Sequence, residues 1–308
     1  METMIQVFKR TLSRSLRLFH IIIAAAAGIA CARIVTQSWF YSAVPAYDAF
    51  LNRVSIYQHI TMFVGINGIW LIGYIANTYP ALVAEEVHEG TLRMLLAKSN
   101  TRTSVITGKI LGAAVATFLL MLLSLSTYSL AVTILLPDGK LAAEVLKYIP
   151  SYILYGLMVG AFFGSLGLLL GCIFKRALIG QFIVLLVLLV SVLGIPFMRL
   201  FAGLADEAST GIPYLFDVNY HLSVVYRWCI ELNGTINGSS GYIEMLGYFT
   251  KMFETVFLDT DITLAESYLS RTFVRSELLK PGMVMLFYGA VTLMNTVLSF
   301  RIFRRKNV

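Results

Sequence analysis

The sequence predicts an all-α, polytopic membrane protein, and its composition and apolar patterning both support this fold class. Of its 308 residues, 58% are hydrophobic and only 13% are charged, and the mean hydropathy is +0.77. A soluble domain carries roughly 25% charged residues, so lipid must be the solvent of most of this chain. A helix needs roughly 20 apolar residues to cross a bilayer. Six runs meet this requirement: Leu18–Val35, Tyr57–Tyr79, Ile110–Leu136, Ser151–Phe174, Ala177–Leu200 and Met283–Phe303.

The placement of Lys and Arg predicts which side of the membrane each connecting segment faces. If the N-terminus is cytoplasmic, the segments 1–17, 80–109, 175–176 and 301–308 are cytoplasmic too. They hold 14 of the 24 basic residues but only four of the 17 acidic ones. We therefore expect a multi-pass protein of the cell membrane, such as the bacterial cytoplasmic membrane, with both termini in the cytoplasm. Because the basic residues flank apolar spans, nucleic acid is not an expected partner.

Residues 3–17 are too polar to cross a membrane and are predicted to form an amphipathic helix. Ile5, Phe8, Leu12 and Leu16 recur at helical spacing, and four basic residues occupy the other faces. Such a helix is suited to the anionic inner leaflet, so membrane lipid is an expected partner. The alternative, a cleaved signal peptide ending in the first span, is disfavoured because its basic lead is long and cleavage leaves five spans.

The longest polar stretch lies between the fifth and sixth spans and is predicted to form a small extracellular helical cap. Ten acidic and five basic residues lie in 201–281, as expected outside the cell. An apolar stripe at helical spacing should pack on a second stripe of the cap, on the spans or across a dimer. Its members are Ile243, Leu246, Phe249, Phe253 and Phe257. The expected organisation is 1–204 for the N-terminal helix with spans one to five, 205–281 for the cap, and 282–308 for the sixth span and basic tail.

The most informative segment is residues 84–97, a short amphipathic element between the second and third spans. Three leucines share one helical face, and acidic residues precede basic ones, as the helix dipole favours. An acidic pair is followed by Glu-Gly-Thr-Leu, a Leu-Leu pair, a small polar residue and Gly-Lys at the start of the third span. The matching residues are Glu85, Glu86, Glu89, Gly90, Thr91, Leu92, Leu95, Leu96, Ser99, Gly108 and Lys109.

This pattern resembles the ABC-2 family of ABC transporter permeases. The sequence departs from the family pattern at Asn100, where a proline is usual, and at Arg93, where an acidic residue is frequent. The resemblance implies a coupling helix that contacts a cytoplasmic ATP-binding subunit, present in two copies. The contacting residues would be Glu85, Glu86, Glu89, Gly90, Thr91, Leu92, Leu95 and Leu96. It also implies a second permease subunit, identical or different, and a pathway lined by spans two and five.

The resemblance implies transport powered by ATP, and the chain carries no ATP site of its own. A phosphate loop needs Gly-x4-Gly-Lys-Ser/Thr, and neither Gly108-Lys109 nor Gly139-Lys140 fits it. We therefore expect no cofactor, catalytic residue or metal ligand in this chain, with ATP and Mg²⁺ on the partner subunit. The expected direction is export. Apolar walls with few charges favour an amphipathic substrate, such as a peptide, a lipid-linked molecule or a drug, over a small ion or a sugar.

Polar residues within the spans leave two interpretations open. Asn67, Asn77 and Gln181 either line a translocation path or only join helices. An ion-coupled secondary transporter is an alternative function, but the spans hold no acidic residue at depth to bind an ion. In the fourth span, Gly160, Gly164, Gly167 and Gly171 favour close helix packing over an intramembrane serine protease site at Ser165.

The predicted cap also leaves two interpretations open. It is either a gate over the exit of the transport pathway or a purely stabilising element. A further alternative to transport is a membrane sensor or immunity module that binds a partner through this cap.

Overall fold

The computed structural model describes residues 2–40, 47–92, 101–136, 139–197, 217–234, 253–257, 271–275 and 279–305. These residues form eleven α-helices, two π-helical segments and one antiparallel pair of strands. The α-helices are α1 (Glu2–Ser15), α2 (Leu18–Phe40), α3 (Tyr47–Ile60), α4 (Leu71–Thr78), α5 (Ala81–His88), α6 (Arg102–Leu135), α7 (Gly139–Leu146), α8 (Ile149–Ile173), α9 (Ala177–Leu188), α10 (Val218–Glu231) and α11 (Pro281–Arg305). The π-helical segments are Thr61–Trp70 and Leu189–Gly194. The strands are β1 (Phe253–Phe257) and β2 (Arg271–Arg275).

Six helical stretches are long and apolar enough to cross a membrane, which confirms the predicted all-α polytopic fold. They are Leu18–Gln37, Val54–His88, Arg102–Leu135, Gly139–Ile173, Ala177–Phe197 and Pro281–Arg305. The second span is the centre of the bundle, because 72% of its apolar window is buried against 17% for the sixth. Large apolar side chains on the other spans, such as Phe182 and Leu286, remain exposed on the outer surface, as lipid-facing positions should.

Helix starts follow ordinary capping chemistry. The Thr101 side chain accepts a hydrogen bond from the Ser104 backbone N–H at the start of α6. Asp217 does the same for the Tyr220 N–H at the start of α10, at 2.9 Å. Pro150 occupies the first turn of α8, where a missing N–H costs nothing.

The two π-helical segments lie in the second and fifth spans and contact each other. The contact is close at Gly68, where an added Cβ would lie 2.8 Å from the Phe63 carbonyl oxygen and 3.0 Å from Val192 Cγ1. Only glycine fits there without displacement. The segments therefore bring these two spans together near the middle of the bundle.

Helix α1 packs against α6 through a face that differs from the predicted apolar stripe. Val7, Thr11 and Ser15 are the buried residues, whereas Ile5 is 44% exposed. The close approach depends on Gly108 and Gly112 of α6, where an added Cβ would lie 2.7 Å from the Met4 carbonyl oxygen and 2.9 Å from that of Phe8. The amphipathic helix therefore docks on the third span, with Ile5 of the predicted stripe exposed and Phe8, Leu12 and Leu16 partly buried.

The segment between the fifth and sixth spans differs from the predicted helical cap. Residues 253–257 form a strand paired antiparallel with β2, with Phe253 opposite Arg275 and Phe257 opposite Arg271. The helical assignment of Phe253 and Phe257 is therefore wrong. Their spacing was ambiguous, because residues four apart share a face in a strand as well as in a helix. Ile243, Leu246 and Phe249 lie outside the described residues, so their packing stays a prediction.

A buried helix in the same segment was not predicted. Helix α10 packs against α8 and α11, and eleven of its 14 residues are buried, including Asn219, His221 and Arg227. Polar and charged residues are buried in this helix along with apolar ones, so its composition does not mark it as a buried helix. Helix α10 thus lies beside the fourth and sixth spans, to which α8 and α11 belong.

Candidate functional site

The segment that carries the family-like motif lies at one end of the bundle, which we call the basic end. The start of α2, α5, the start of α6 and the end of α11 meet here, together with α1. The Arg102 guanidinium donates to the Arg304 carbonyl oxygen at 2.7 Å, which joins the third span to the sixth. Two cations, Arg14 of α1 and Lys109 of α6, lie directly against α5.

Helix α5 is held rigidly to the fourth span by the predicted glycine stripe. The Tyr79–Pro80 link, which separates α4 from α5, lies directly against α8. An added Cβ would lie 2.8 Å from the Tyr79 ring at Gly164 and 2.4 Å from the Pro80 carbonyl oxygen at Gly171. Gly160 has no such neighbour, since its closest atom is 4.0 Å away. The stripe thus serves helix packing, as predicted, over three of its four glycines.

Residues 84–97 do not form one continuous helix, which corrects the sequence-based expectation. Helix α5 ends at His88, and Gly90 has a φ of 71°, in the left-handed region that glycine adopts freely. Helical backbone resumes at Thr91 and Leu92. Any other residue at position 90 is strained, and a proline, with its φ fixed near −65°, cannot adopt this conformation.

Glu86 is part of an internal ion pair. Its carboxylate lies 2.6 Å from Lys109 Nζ, and the two side chains are only 7% and 3% exposed. Lys109 Nζ also donates to the Leu82 carbonyl oxygen at 2.5 Å. Glu86 is therefore not on the exposed surface of α5, and it connects α5 to the third span.

Glu85 forms the second ion pair of α5, with Arg14 of α1. Both side chains are partly exposed, at 34% and 41%. His88 and Glu89 are exposed at the end of α5 and have no ion-pair partner among the described residues. The accessible acidic groups of the motif are thus Glu85 and Glu89.

The described uncharged residues of the predicted contact set are also less exposed than expected. Leu92 is 1% exposed and packs in the core, so it is not a surface anchor. Thr91 is half-buried, and its hydroxyl lies 3.5 Å from the Glu86 carbonyl oxygen, closing the turn at Gly90. Leu95 and Leu96 lie outside the described residues, and their role as anchors stays a prediction.

The three amides proposed for a pathway occupy different environments. Asn77 and Gln181 meet near the basic end, where Gln181 Nε2 donates to the Asn77 carbonyl oxygen at 2.9 Å and lies 3.5 Å from its Oδ1. This contact joins spans two and five, yet the Asn77 side chain remains exposed. Asn67 is 1% exposed in the π-helical segment, and neither of its amide atoms has a hydrogen-bond partner among the described residues.

The opposite end of the bundle holds an aromatic cluster formed by His59, Phe63, Tyr152, Tyr155 and Tyr226. All five side chains are buried. The Tyr152 hydroxyl lies 3.0 Å from His59 Nδ1, and the Tyr226 hydroxyl donates to the His59 carbonyl oxygen at 2.8 Å. The rings of Tyr155 and Tyr226 meet edge to face at 4.8 Å. The cluster fixes α10 against spans two and four.

Sequence reasoning missed both ion pairs of α5, although all four residues belong to segments that it singled out. Glu85, Glu86 and Lys109 stood in the motif, and Arg14 lay on the amphipathic helix. The available signal was Lys109 directly before the apolar run of the third span, where a cation that enters the bundle needs a buried partner. A sequence alone does not say which of several nearby carboxylates supplies it.

Comparison with known proteins agrees with this architecture. A search of curated proteins finds no match to the chain. A family profile described as ABC-2 family transporter protein matches residues 47–308, which include all of the chain from the start of α3 onward. The match covers most of the chain, and the six spans fit a membrane subunit that works with an ATP-binding partner. The chain belongs to the ABC-2 family of transporter proteins, and it is a multi-pass membrane permease of the ABC transporter type.

Proposed function

We propose that this chain is the permease subunit of an exporter, and that a cytoplasmic ATP-binding subunit docks on its basic end. The observation that carries the proposal is helix α5, which presents acidic groups at its surface and is fixed internally to three spans. The contact set we propose is Glu85, Glu89 and Gly90, joined by Thr91, Leu95 and Leu96. Glu86 and Leu92 act behind this surface, because both side chains are buried.

A push on α5 has a direct mechanical path into the bundle. The Tyr79–Pro80 link continues into the second span and lies against the glycines of the fourth. The Glu86–Lys109 pair connects α5 to the third span. Because packed cores move as units and not as elastic media, displacement of α5 shifts these spans together.

We place the transport pathway at spans two and five, between this chain and a second permease subunit, identical or different. The exposed Asn77 side chain and the half-buried Gln181 side chain provide polar groups at that surface. Asn67 is enclosed in the conformation described, so it reaches a pathway only if the π-helical segment rearranges. The apolar surroundings suit an amphipathic substrate, such as a peptide, a lipid-linked molecule or a drug.

ATP chemistry belongs to the partner in this proposal. The chain carries no Gly-x4-Gly-Lys-Ser/Thr sequence, so ATP and Mg²⁺ bind to two copies of the ATP-binding subunit. Both chain termini and the basic end face the cytoplasm of the cell membrane, as the excess of Lys and Arg at that end favours.

Affinity purification of the full chain from its native membranes tests the proposal. We expect an ATP-binding subunit to co-purify and to supply ATP hydrolysis that vanadate inhibits. Glu85→Lys with Glu89→Lys should reduce this association, because two carboxylates at the docking surface become cations. Glu144→Lys with Glu231→Lys, the same charge change at the opposite end, should leave it intact. The proposal is contradicted if the folded chain brings no ATP-binding subunit, or if both double variants behave alike.

A further inference from the structure

A polar cavity lies between α1, α5 and the start of the third span, on the inner side of the Arg14–Glu85 pair. Its volume is about 120 Å³, and its wall includes Arg10, Arg14, Arg17 and Lys109. A single water needs only roughly 10–15 Å³ of such space, so a larger polar group fits. The cavity therefore has the size of a small ligand group.

The charge balance of this cavity favours an anion. Its wall contains four cationic side chains against two carboxylates, and the carboxylates are already used. Glu86 pairs with Lys109, and Glu85 pairs with Arg14. Arg10 and Arg17 have no carboxylate partner among the described residues. Two free guanidinium groups beside one cavity are suited to a phosphate group, which arginine binds through paired hydrogen bonds.

Neutral donors complete the wall of the cavity. The hydroxyls of Thr11 and Ser15 belong to the buried face of α1 and border the same space. His20 borders it too, and its Nδ1 lies 2.9 Å from the Ser15 carbonyl oxygen. Guanidinium groups, hydroxyls and an imidazole around one space form a set typical of phosphate recognition.

An apolar groove of about 660 Å³ adjoins this cavity along the first and second spans. The two spaces share His20 and Asn77 in their walls, so the groove begins where the polar cavity ends. The groove is lined by apolar and small residues such as Ile23, Ala27 and Gly73. A polar, cationic space that leads into an apolar groove has the chemical profile of a phospholipid.

We propose that the cavity and groove form a binding site for an anionic phospholipid. The phosphate group lies among Arg10, Arg17, Thr11 and Ser15, and an acyl chain lies in the groove against the second span. Through the Arg14–Glu85 pair, the headgroup is adjacent to α5, so occupancy of the site can influence the docking surface. The lipid site does not depend on the proposed export function or on the ATP-binding partner.

Native mass spectrometry of the full chain from nanodiscs with or without phosphatidylglycerol tests the headgroup site. The wild-type chain should retain phosphatidylglycerol. Arg10→Gln with Arg17→Gln should retain at least about tenfold less, a loss of about 1.4 kcal/mol or more, because both charge-assisted contacts to the phosphate group are removed. Lys9→Gln with Arg305→Gln is the matched control, because it removes two exposed charges at the same end outside the cavity. Equal retention by the two double variants would overturn the site.

A second pair of variants tests the groove. Gly73→Leu fills the groove without a clash, because an added Cβ at Gly73 meets nothing within 4 Å. Gly289→Leu in the sixth span is the control, since its added Cβ is equally unobstructed. We expect Gly73→Leu alone to reduce phosphatidylglycerol retention. Equal retention by these two variants would overturn the assignment of the acyl chain to the groove.

Titration with inorganic phosphate in phosphatidylcholine nanodiscs distinguishes a lipid from a soluble phosphate. Thermal unfolding of the wild-type chain should be unaffected, because inorganic phosphate lacks the acyl chain that the groove binds. A stabilisation by inorganic phosphate that is lost in Arg10→Gln with Arg17→Gln would overturn the lipid assignment and identify a soluble ligand. Unchanged thermal unfolding of each variant without ligand confirms that the exposed substitutions leave the fold intact.

Discussion

The two ends of the bundle are held together by different chemistry. At the basic end, α5 is fixed by a buried ion pair, a partly exposed ion pair and close backbone contacts. At the opposite end, the aromatic cluster is buried and is held by ring contacts and hydrogen bonds, and the ion pairs Lys147–Glu144 and Arg227–Glu231 lie outside the cluster. Charged groups that reach the surface can exchange one ion-pair partner for another, whereas a buried cluster of packed rings keeps a single arrangement. This contrast between α5 and the aromatic cluster supports our proposal that the basic end receives another molecule, while the aromatic end holds the bundle together.

The difference also appears in the backbone. The basic end contains the left-handed Gly90, which lets the chain turn sharply after α5 and present Glu89 at the surface. The aromatic end is covered by α10, whose residues are almost all buried. Substitutions at the two ends should therefore have separable effects on partner binding and on stability.

The largest effect is expected from breaking the buried ion pair at the basic end. Lys109→Met leaves the Glu86 carboxylate without its partner, and it should lower the free energy of unfolding by about 3–5 kcal/mol. The double variant Lys109→Met with Glu86→Met should recover most of this loss, because no unpaired charge remains. Denaturant unfolding in detergent measures both. If the single and double variants are equally destabilised, the pair does not hold α5 through its charges.

A smaller loss of stability is expected from the glycine contact between α5 and the fourth span. Gly171→Ala places a methyl group 2.4 Å from the Pro80 carbonyl oxygen, and overpacking of this kind costs about 1–3 kcal/mol. Gly160→Ala, in the same helix, has 4.0 Å of clearance and should be neutral or slightly stabilising. Thermal unfolding of the two variants measures the contrast. A neutral Gly171→Ala would show that α5 is not tightly packed on α8.

The smallest effect is expected at the aromatic end. Tyr226→Phe keeps the ring but removes the hydrogen bond from its hydroxyl to the His59 carbonyl oxygen, which contributes about 1 kcal/mol. Tyr226→Leu should cost more, because it also removes the ring contacts with Tyr152 and Tyr155. Both losses should appear in thermal unfolding without changing co-purification of the ATP-binding subunit. A loss of that association in Tyr226→Phe at unchanged stability would break the separation between the two ends.

The spans were predictable from sequence because lipid imposes a simple requirement of length and apolarity. The structure extends the second predicted span, Tyr57–Tyr79, into the helical stretch Val54–His88, because α5 follows α4 directly after the turn at Tyr79–Pro80. The motif at Glu85 to Leu92 was also recognisable, since its residue types and their spacing can be read from the sequence without any knowledge of packing. Its break at Gly90 was not, because glycine is tolerated in a helix as well as after one.

The interior of the candidate site was less predictable, because it depends on distant residues. The partner of Lys109 lies 23 positions away, and three glutamates of the motif were equally eligible by sequence. The buried face of α1 is set by Gly108 and Gly112, which admit its backbone, and not by its most apolar residues. Helix α10 was missed because it lies in the longest polar stretch and buries polar residues such as Asn219, His221 and Arg227, which sequence analysis expects on a surface.

The measurement that most directly tests the account is site-directed cross-linking to the ATP-binding subunit. Single cysteines replace Glu89 at the basic end or Glu144 at the opposite end, in a chain carrying Cys31→Ala, Cys172→Ala and Cys229→Ala. Both positions are exposed. The account predicts a cross-link from position 89 and none from position 144. A cross-link from position 144, or none from position 89 in a complex that still co-purifies, would contradict docking at the basic end.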